Sequence, residues 1–279
     1  MADAVYKYFR KFKEEKMRKV SLVAVFMLVA MSVMPTMGYN NSVLFNLVRP
    51  NSLSSGLEFI AQHRFAGSFT QGSVENLVDR MFGLEDGAHI AVGLNYILNK
   101  QFVLKSQYMT DQKEYDFGFS YLITDGWLKS QIDIQRNSFI DLSSAQKNVA
   151  GSILLSAESD AVTVGAVSFI PLVNLSYDGY DQHYGAGLGL TFPLFDQTSF
   201  VTEFFTRGLN PADNSQVGEI YNGNPFNNNA YSFGIKQETD GHVFSLFVTN
   251  TTAIGTRQNA WGVPDDYGMH LAFTISRYL

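Results

Sequence analysis

The 279-residue chain has no cysteine, few charged residues and no long series of apolar segments. Without cysteine there is no disulfide scaffold, thiolate metal site, catalytic cysteine or lipid-modified N-terminal cysteine. Charged residues make up 16% of the chain and its mean hydropathy is −0.04. A polytopic helical membrane protein is excluded, because spans of about 20 apolar residues would make that value strongly positive. The 23 phenylalanines, 14 tyrosines and 23 glycines that are present indicate an ordered, β-rich protein.

The first 38 residues have the three parts of a secretory signal peptide. A basic pair precedes an apolar run at 20–34, and Thr36 and Gly38 supply small residues before a cleavage point. The run is shorter than the roughly 20 residues that span a bilayer, which favours a signal peptide over a membrane anchor. Because Met17 followed by Arg-Lys is a more usual beginning than the residues upstream, we expect translation to start at Met17.

Several function classes are excluded by charge and by the absence of motifs. Residues 1–38 hold seven of the 20 basic and three of the 26 acidic residues, so the exported chain carries a net charge of −10. Such an acidic chain does not bind nucleic acid by charge. The five histidines show no HExxH or H-x-H spacing, and no Gly-x-Ser-x-Gly elbow or phosphate loop occurs. We therefore expect no catalytic residue, no metal and no cofactor.

From residue 56 onward, segments of about ten residues alternate apolar and polar side chains, as strands between two different solvents do. In the fourth segment, for example, Tyr115, Phe117 and Phe119 alternate with Asp116 and Gly118. Their length matches the roughly 9–11 residues with which a tilted strand crosses a bilayer. Twelve segments show the pattern: 56–66, 87–98, 101–110, 114–124, 127–137, 147–158, 161–170, 183–193, 198–207, 229–238, 242–250 and 267–278.

The connections between these segments alternate in length. Tight turns of the Asp-Gly or Asn-polar type fall at 99–100, 124–126, 159–160, 194–197 and 239–241. The intervening connections at 67–86, 138–146, 171–182, 208–228 and 251–266 are long, and only 111–113 is brief. Short turns on one side and long loops on the other are typical of an outer-membrane barrel with an even strand number. The sequence therefore predicts an all-β, antiparallel, up-and-down transmembrane barrel of about twelve strands.

Two further segments are assigned. Ser73 precedes apolar residues with helical spacing and Gly83 follows them, which predicts a short amphipathic helix at 74–82 in the first long loop. Residues 39–55 are too short for a domain, so we expect an extra β segment or a plug inside the barrel. The barrel domain itself is predicted to cover residues 56–279.

The alternation also assigns side chains to the two faces of the wall. A charged side chain that faces lipid at the midplane costs about 2–4 kcal/mol, so the charges should face the lumen. The predicted lumen-facing charges are Glu58, Arg64, Lys105, Asp116, Lys129, Asp133, Glu203, Arg207, Lys236 and Glu238. The predicted lipid-facing residues are Phe59, Leu104, Phe117, Phe119, Ile132, Phe204 and Phe233. Five acids and five bases suggest ion pairs across the lumen more than a strongly ion-selective pore.

Barrel size bears on whether the lumen is open. Eight strands leave an interior that side chains fill, and 16–18 strands leave an aqueous channel, so twelve lie between. With Leu122, Phe169 and Phe205 in or near the inward phase, we expect a narrow or plugged lumen. The closing segment ends in Tyr278 and Leu279, similar to the last strand that the outer-membrane assembly machinery reads, although such strands usually end in an aromatic residue.

Several short stretches together resemble a bacterial β-barrel family that is known only as a domain of unknown function. They are residues 57–65 (LEFIAQHRF), 82–88 (FGLEDGA), 93–96 (GLNY), 115–116 (YD) and 275–277 (ISR). The chain departs from that family at the turn Asn99-Lys100 and at 105–107, where the family tends to carry Thr-Asp and Gly-Arg-Ser. The resemblance implies the barrel fold and the outer membrane, and no activity.

The sequence thus predicts an outer-membrane barrel of unknown cargo, in contact with outer-membrane lipid. It acts as a narrow channel or as a structural or partner-binding component, and the oligomeric state stays open. Two alternatives remain: a lipid-facing enzyme, for which His63 is the outward histidine near a strand centre, and a soluble periplasmic barrel that binds an apolar ligand. In the soluble barrel, Phe117, Phe119 and Phe233 would point inward.

Overall fold

The computed structural model describes residues 41–70, 79, 81–82, 87–110, 113–140, 146–180, 182–206, 226–255, 263–264 and 268–279. The predicted signal peptide at 1–38, the start at Met17 and the lumen residue Arg207 lie outside the described residues, as does most of the predicted helix at 74–82. Asp79 and Met81 within that helix are described and are helical. Within the described part of the chain, no helix is both long and apolar enough to cross a membrane.

Twelve antiparallel strands in the described residues form one closed barrel, in which each strand pairs with its neighbours in sequence and the last pairs with the first. They are β1 (Gly56–Phe65), β2 (Ala88–Ile97), β3 (Phe102–Met109), β4 (Glu114–Thr124), β5 (Leu128–Ile140), β6 (Lys147–Ser159), β7 (Val167–Asp178), β8 (His183–Phe195), β9 (Thr198–Phe205), β10 (Ala230–Thr239), β11 (His242–Thr249) and β12 (His270–Tyr278). A further two-stranded pair joins Phe226–Asn228 to Val263–Pro264. The predicted fold class and strand number are confirmed.

The seventh strand differs from the prediction. Residues 161–170 were expected to cross the membrane, with a long loop at 171–182, but β7 runs from Val167 to Asp178. The strand continues through Pro171, which faces Leu190 of β8, while Val162–Val164 folds back on the start of β7 as a short hairpin. Both halves of this stretch are apolar and β-prone, so alternation alone does not fix where the crossing begins. The corrected register also places Phe169 outward, 6.0 Å from the ring of Phe192.

Side chains on every strand alternate between a buried inward row and an exposed outward row. Phe117 is 65% exposed, Phe119 41% and Phe233 44%, so these rings point away from the lumen. The soluble barrel required the reverse polarity, and that alternative is therefore wrong. The outward rows form an apolar band around a closed sheet, as in barrels that face lipid.

Candidate functional site

Residues 42–49 fold back on themselves inside the barrel as a tight hairpin, called the N-terminal hairpin below. Val43 and Val48 form a β-bridge, and the backbone nitrogen of Arg49 donates to the oxygen of Ser42 at 2.8 Å. At the tip, the nitrogen of Leu44 donates to the oxygen of Leu47 at 2.9 Å. These hydrogen bonds pair some of the backbone N–H and C=O groups of the hairpin, and the barrel wall must supply partners for the others.

The tip of the hairpin is held by one carboxylate of the wall. The backbone nitrogens of Phe45, Asn46 and Leu47 donate to Glu203 on β9 at 2.9–3.1 Å, and the Asn46 amide donates to the same carboxylate at 3.0 Å. Successive backbone N–H groups that converge in this way form an anion-binding nest. Glu203 is buried, so these donors replace the water that its charge would otherwise require.

A second wall residue, Arg64, binds the hydrogen-bond acceptors of the tip. The guanidinium of Arg64 on β1 donates to the backbone oxygen of Phe45 and to the side-chain oxygen of Asn46, both at 2.9 Å. It also lies 4.7 Å from the ring centroid of Phe247, and that ring stacks on Phe45 at 4.2 Å. Arg64 and Glu203 therefore share the hairpin between them and do not pair directly across the lumen.

Glycines of the wall make room for the apolar side chains of the hairpin. A Cβ atom at Gly187 of β8 would lie 2.4 Å from Leu47, and one at Gly189 would lie 2.9 Å from Leu47 and 3.1 Å from Leu44. Leu44 and Leu47 are fully buried. They join Phe45 in one apolar cluster with wall residues Leu172, Val201, Phe205, Ala230, Phe247 and Ala272.

The chain between the tip and β1 is also fixed to the wall. The Asn174 amide pairs with both backbone groups of Val48, at 2.8 and 2.9 Å. Arg49 binds Glu158 with two hydrogen bonds of 2.6 and 2.9 Å. Burial acts to lower the pKa of Arg49, but the Glu158 carboxylate outweighs it and leaves the pKa above its ordinary value. The arginine is thus held as a cation inside the barrel.

The hairpin leaves a polar cavity of about 50 Å³ along the wall formed by β1–β5. Gln62, Gln107 and Gln135 line it together with Lys105 and Asp116. The Gln107 amide donates to the side chain of Gln62 at 3.3 Å. This volume holds only a few water molecules.

A second segment enters the barrel from the side of the long loops. After β11, residues 250–255 turn inward, and Ile254 is buried with Ala91 and Met109 on the inward faces of β2 and β3. A Cβ atom at Gly255 would lie 2.9 Å from the Met109 sulfur and 3.8 Å from Asp116. The polar cavity is therefore bounded by the hairpin and by this loop.

The structure places the predicted face residues as follows. Glu58, Arg64, Asp116, Asp133, Glu203 and Lys236 are buried on the inward rows, and Lys105, Lys129 and Glu238 are inward and partly accessible. Phe59, Leu104, Phe117, Phe119, Phe204 and Phe233 are exposed on the outward rows, and Ile132 is outward and half-buried. Lys105 pairs with Asp133 at 2.9 Å and Lys236 with Glu238 at 2.5 Å. Both pairs lie along the wall and not across the lumen.

Sequence reasoning missed the residues that fix the N-terminal segment to the wall: Asn46, Arg49, Gln131, Glu158 and Asn174. Glu158 had a usable signal, because it is the charged residue in the inward phase of the sixth segment. Arg49 had none, because no alternation marks residues 41–55. Within the described residues, no group of three or more His, Cys, Asp and Glu side chains could hold a metal ion.

Comparisons with known proteins agree with this architecture. Residues 158–279 match the family described as "Membrane bound beta barrel domain (DUF5777)", which confirms the predicted resemblance to a barrel family of unknown function. Of the stretches that carried the resemblance, only 275–277 lies in the matched range, so the specific match is to the second half of the chain. No curated protein matches the chain.

Two solved structures align with most of this chain at low sequence identity. LpxR from Salmonella typhimurium is 8% identical, with a TM-score of 0.43 over 80% of this chain and all of that one. The COG4313 outer membrane channel from Pseudomonas putida F1 is 8% identical, with a TM-score of 0.44 over 86% of this chain and all of that one. The strand topology, the apolar outward band and the family match together establish that this chain is an outer-membrane β-barrel.

Proposed function

We propose that the protein is a narrow outer-membrane channel that its own N-terminal hairpin closes. The observation that carries the proposal is that residues 42–51, and not the side chains of the wall, fill the lumen. The inward rows around the hairpin are rich in small residues, such as Ser152, Ser232 and Gly187, which project little into the interior. A twelve-stranded wall of this kind encloses more space than its side chains occupy.

The side chains around the polar cavity, on β1–β5, favour small polar solutes as the cargo. Glutamine, asparagine and serine side chains predominate there, and Lys105 is paired with Asp133. In the described strands, Glu114, Glu158 and Asp178 also face inward, so inward acids outnumber inward bases and the open lumen should favour cations over anions. For His63, the stacking on Phe273 at 4.8 Å and the contact with Phe65 at 4.4 Å support a packing role more than a role in catalysis.

Deletion of the hairpin tests the proposal. The exported chain should give rare or very small conductance steps in a planar bilayer, and the chain without residues 41–53 should give stable, larger steps that favour cations over anions. An equal-length deletion at 208–220, in the predicted external loop, controls for shortening the chain. Heat-modifiable gel mobility shows that each variant is folded. A folded hairpin-deleted barrel that stays silent would refute the channel.

We also propose that the leader at 1–38 directs export and that β12 is the strand which the assembly machinery recognises. β12 closes the barrel on β1, with Arg277 opposite Phe59 and Ala272 opposite Arg64. Replacing Tyr278 by serine should lower the yield of assembled barrel in cells without preventing refolding in detergent. Equal loss in cells and in detergent would show a stability defect in place of a recognition defect.

A further inference from the structure

The charges on the outward rows have one sign. In the described strands, outward positions hold three charged side chains, and all are basic: Arg136 on β5, Lys147 on β6 and Arg277 on β12. All three are exposed. No acidic side chain occupies an outward position of those strands, although acids outnumber bases in the chain, 26 to 20. An all-basic outer face complements an anionic surface.

Arg136 and Lys147 lie at the level of an aromatic girdle. Tyrosines face outward at the long-loop ends of several strands: Tyr108, Tyr115, Tyr177, Tyr184 and Tyr231. Tyr115 is opposite Ser138, one outward position above Arg136. Lys147 is opposite Ile140, one outward position beyond Ser138. Outward tyrosines mark the headgroup level, so the two cations bracket that level.

The wall beside Arg136 leaves its guanidinium accessible. On one side its strand partner is Phe117, and on the other it is Gly151. Gly151 is followed across the sheet by Gly179, whose backbone nitrogen donates to the Gly151 oxygen at 2.8 Å. Both glycines are exposed, so they form a flat strip next to the aromatic ridge of Tyr115 and Phe117.

The spacing of the two cations suits one anionic headgroup. Gly151 is the partner of Arg136, and Lys147 lies four residues further along the same strand, about 13 Å at the usual rise per residue. Two long, flexible side chains at this separation can converge on a single phosphate-bearing group or contact two phosphates of one molecule. Long external loops place this end of the barrel in the outer leaflet.

We infer that Arg136 and Lys147, with the glycine strip and the tyrosine girdle, form a binding site for a phosphate-bearing glycolipid of the outer leaflet. The guanidinium and the ammonium group bind the phosphates, the acyl chains lie on the flat strip, and the tyrosine hydroxyls face the headgroup sugars. The site is on the outside of the wall and is independent of the hairpin and of conduction through the lumen.

The test compares three forms of the refolded, exported chain in neutral detergent: the native protein, the Arg136→Ala/Lys147→Ala variant, and the Lys100→Ala/Arg277→Ala variant. The control pair removes the same charge from the opposite end of the barrel. Heat-modifiable mobility gives the unfolding midpoint of each form, alone, with purified lipopolysaccharide and with inorganic phosphate. Native mass spectrometry counts the lipid molecules that stay bound.

Lipopolysaccharide should raise the midpoint of the native protein by several degrees and leave about one bound molecule. The Arg136/Lys147 variant should lose at least half of that shift and most of the bound lipid, while the control variant keeps both. Equal losses in the two variants, or no shift in the native protein, would overturn the site. A shift of the same size with inorganic phosphate alone would show a simple anion site and would overturn the assignment to a lipid.

Discussion

The two halves of the barrel wall treat the N-terminal hairpin differently. Every wall residue in the apolar cluster around Leu44, Phe45 and Leu47 comes from β7–β12. Every strand residue that lines the polar cavity comes from β1–β5. The β7–β12 half therefore packs on the hairpin through apolar and glycine positions. The β1–β5 half is separated from part of the hairpin by a cavity that holds a few water molecules.

This difference separates the residues that hold the hairpin in the lumen from the residues that line the path of a solute. Because the hairpin packs mainly on the β7–β12 half, it can leave the lumen while most of the hydrogen bonds within the β1–β5 half stay intact. The exceptions are Glu58, Gln62 and Arg64 on β1, Asn95 on β2 and Gln131 on β5, because these side chains also bond to the N-terminal segment. On this view, substitutions in β7–β12 change how often the lumen opens, and substitutions at inward positions of β2–β5 that do not bond to the N-terminal segment change what passes once it is open.

Loss of Glu203 should have the largest effect on closure. The variant Glu203→Ala leaves the N–H groups of the tip without their acceptor and removes the buried negative charge that balances Arg64 on the other side of the tip, which costs about 3–5 kcal/mol for such a buried group. The chain has no cysteine, so Val43→Cys gives one labelling site on the hairpin. Its reaction with a bulky maleimide should become about 100-fold faster or more, since 1.4 kcal/mol is a factor of ten.

Glu203→Gln serves as the conservative variant. It keeps one acceptor oxygen without the charge, so its labelling rate should lie between those of the native protein and Glu203→Ala. If the alanine variant is labelled no faster than the native protein while remaining folded, this carboxylate does not hold the tip. The proposed role of Glu203 in closing the lumen is then wrong.

Two glycines allow a direct comparison of the halves. Gly187→Val places a side chain where a Cβ atom already lies 2.4 Å from Leu47, and overpacking of this kind costs about 1–3 kcal/mol. Gly93→Val adds the same side chain to the polar half, where the nearest atom to a Cβ, the oxygen of Ser106, is 3.5 Å away. Labelling at Val43→Cys should rise about tenfold or more in the first variant, while the second stays near the native rate. Equal rates would remove the distinction between the halves.

The sequence predicted the wall well because lipid imposes a period of two on every strand. Phe117, Phe119 and Asp116 therefore appear on the expected faces. The prediction for the seventh strand is wrong because Val162 and Val167 are equally suited to begin a strand. The alternation of apolar and polar residues does not determine the hydrogen-bond register.

The contents of the lumen were predicted only in outline. A plug at 39–55 was one of two expectations, but its partners required three dimensions, since Asn46 and Glu203 are separated by 157 positions. The glycines at 187 and 189 look like gaps in a polar face until Leu44 and Leu47 are seen against them. At Arg64 and Glu203, the predicted ion pairs across the lumen are replaced by hydrogen bonds to the hairpin, because the hairpin supplies both donors and acceptors.

The smallest effect is expected at Gln107, on the polar half. Its amide donates to Gln62 at 3.3 Å and is partly accessible, so Gln107→Ala should change hairpin docking by no more than about 0.5 kcal/mol. Labelling at Val43→Cys should stay within about twofold of the native rate. In the chain that lacks residues 41–53, however, the same substitution removes a side chain from the open lumen and should raise the conductance measurably. If Gln107→Ala instead releases the hairpin as Gly187→Val does, the polar half takes part in closure and the separation between closing and conducting is wrong.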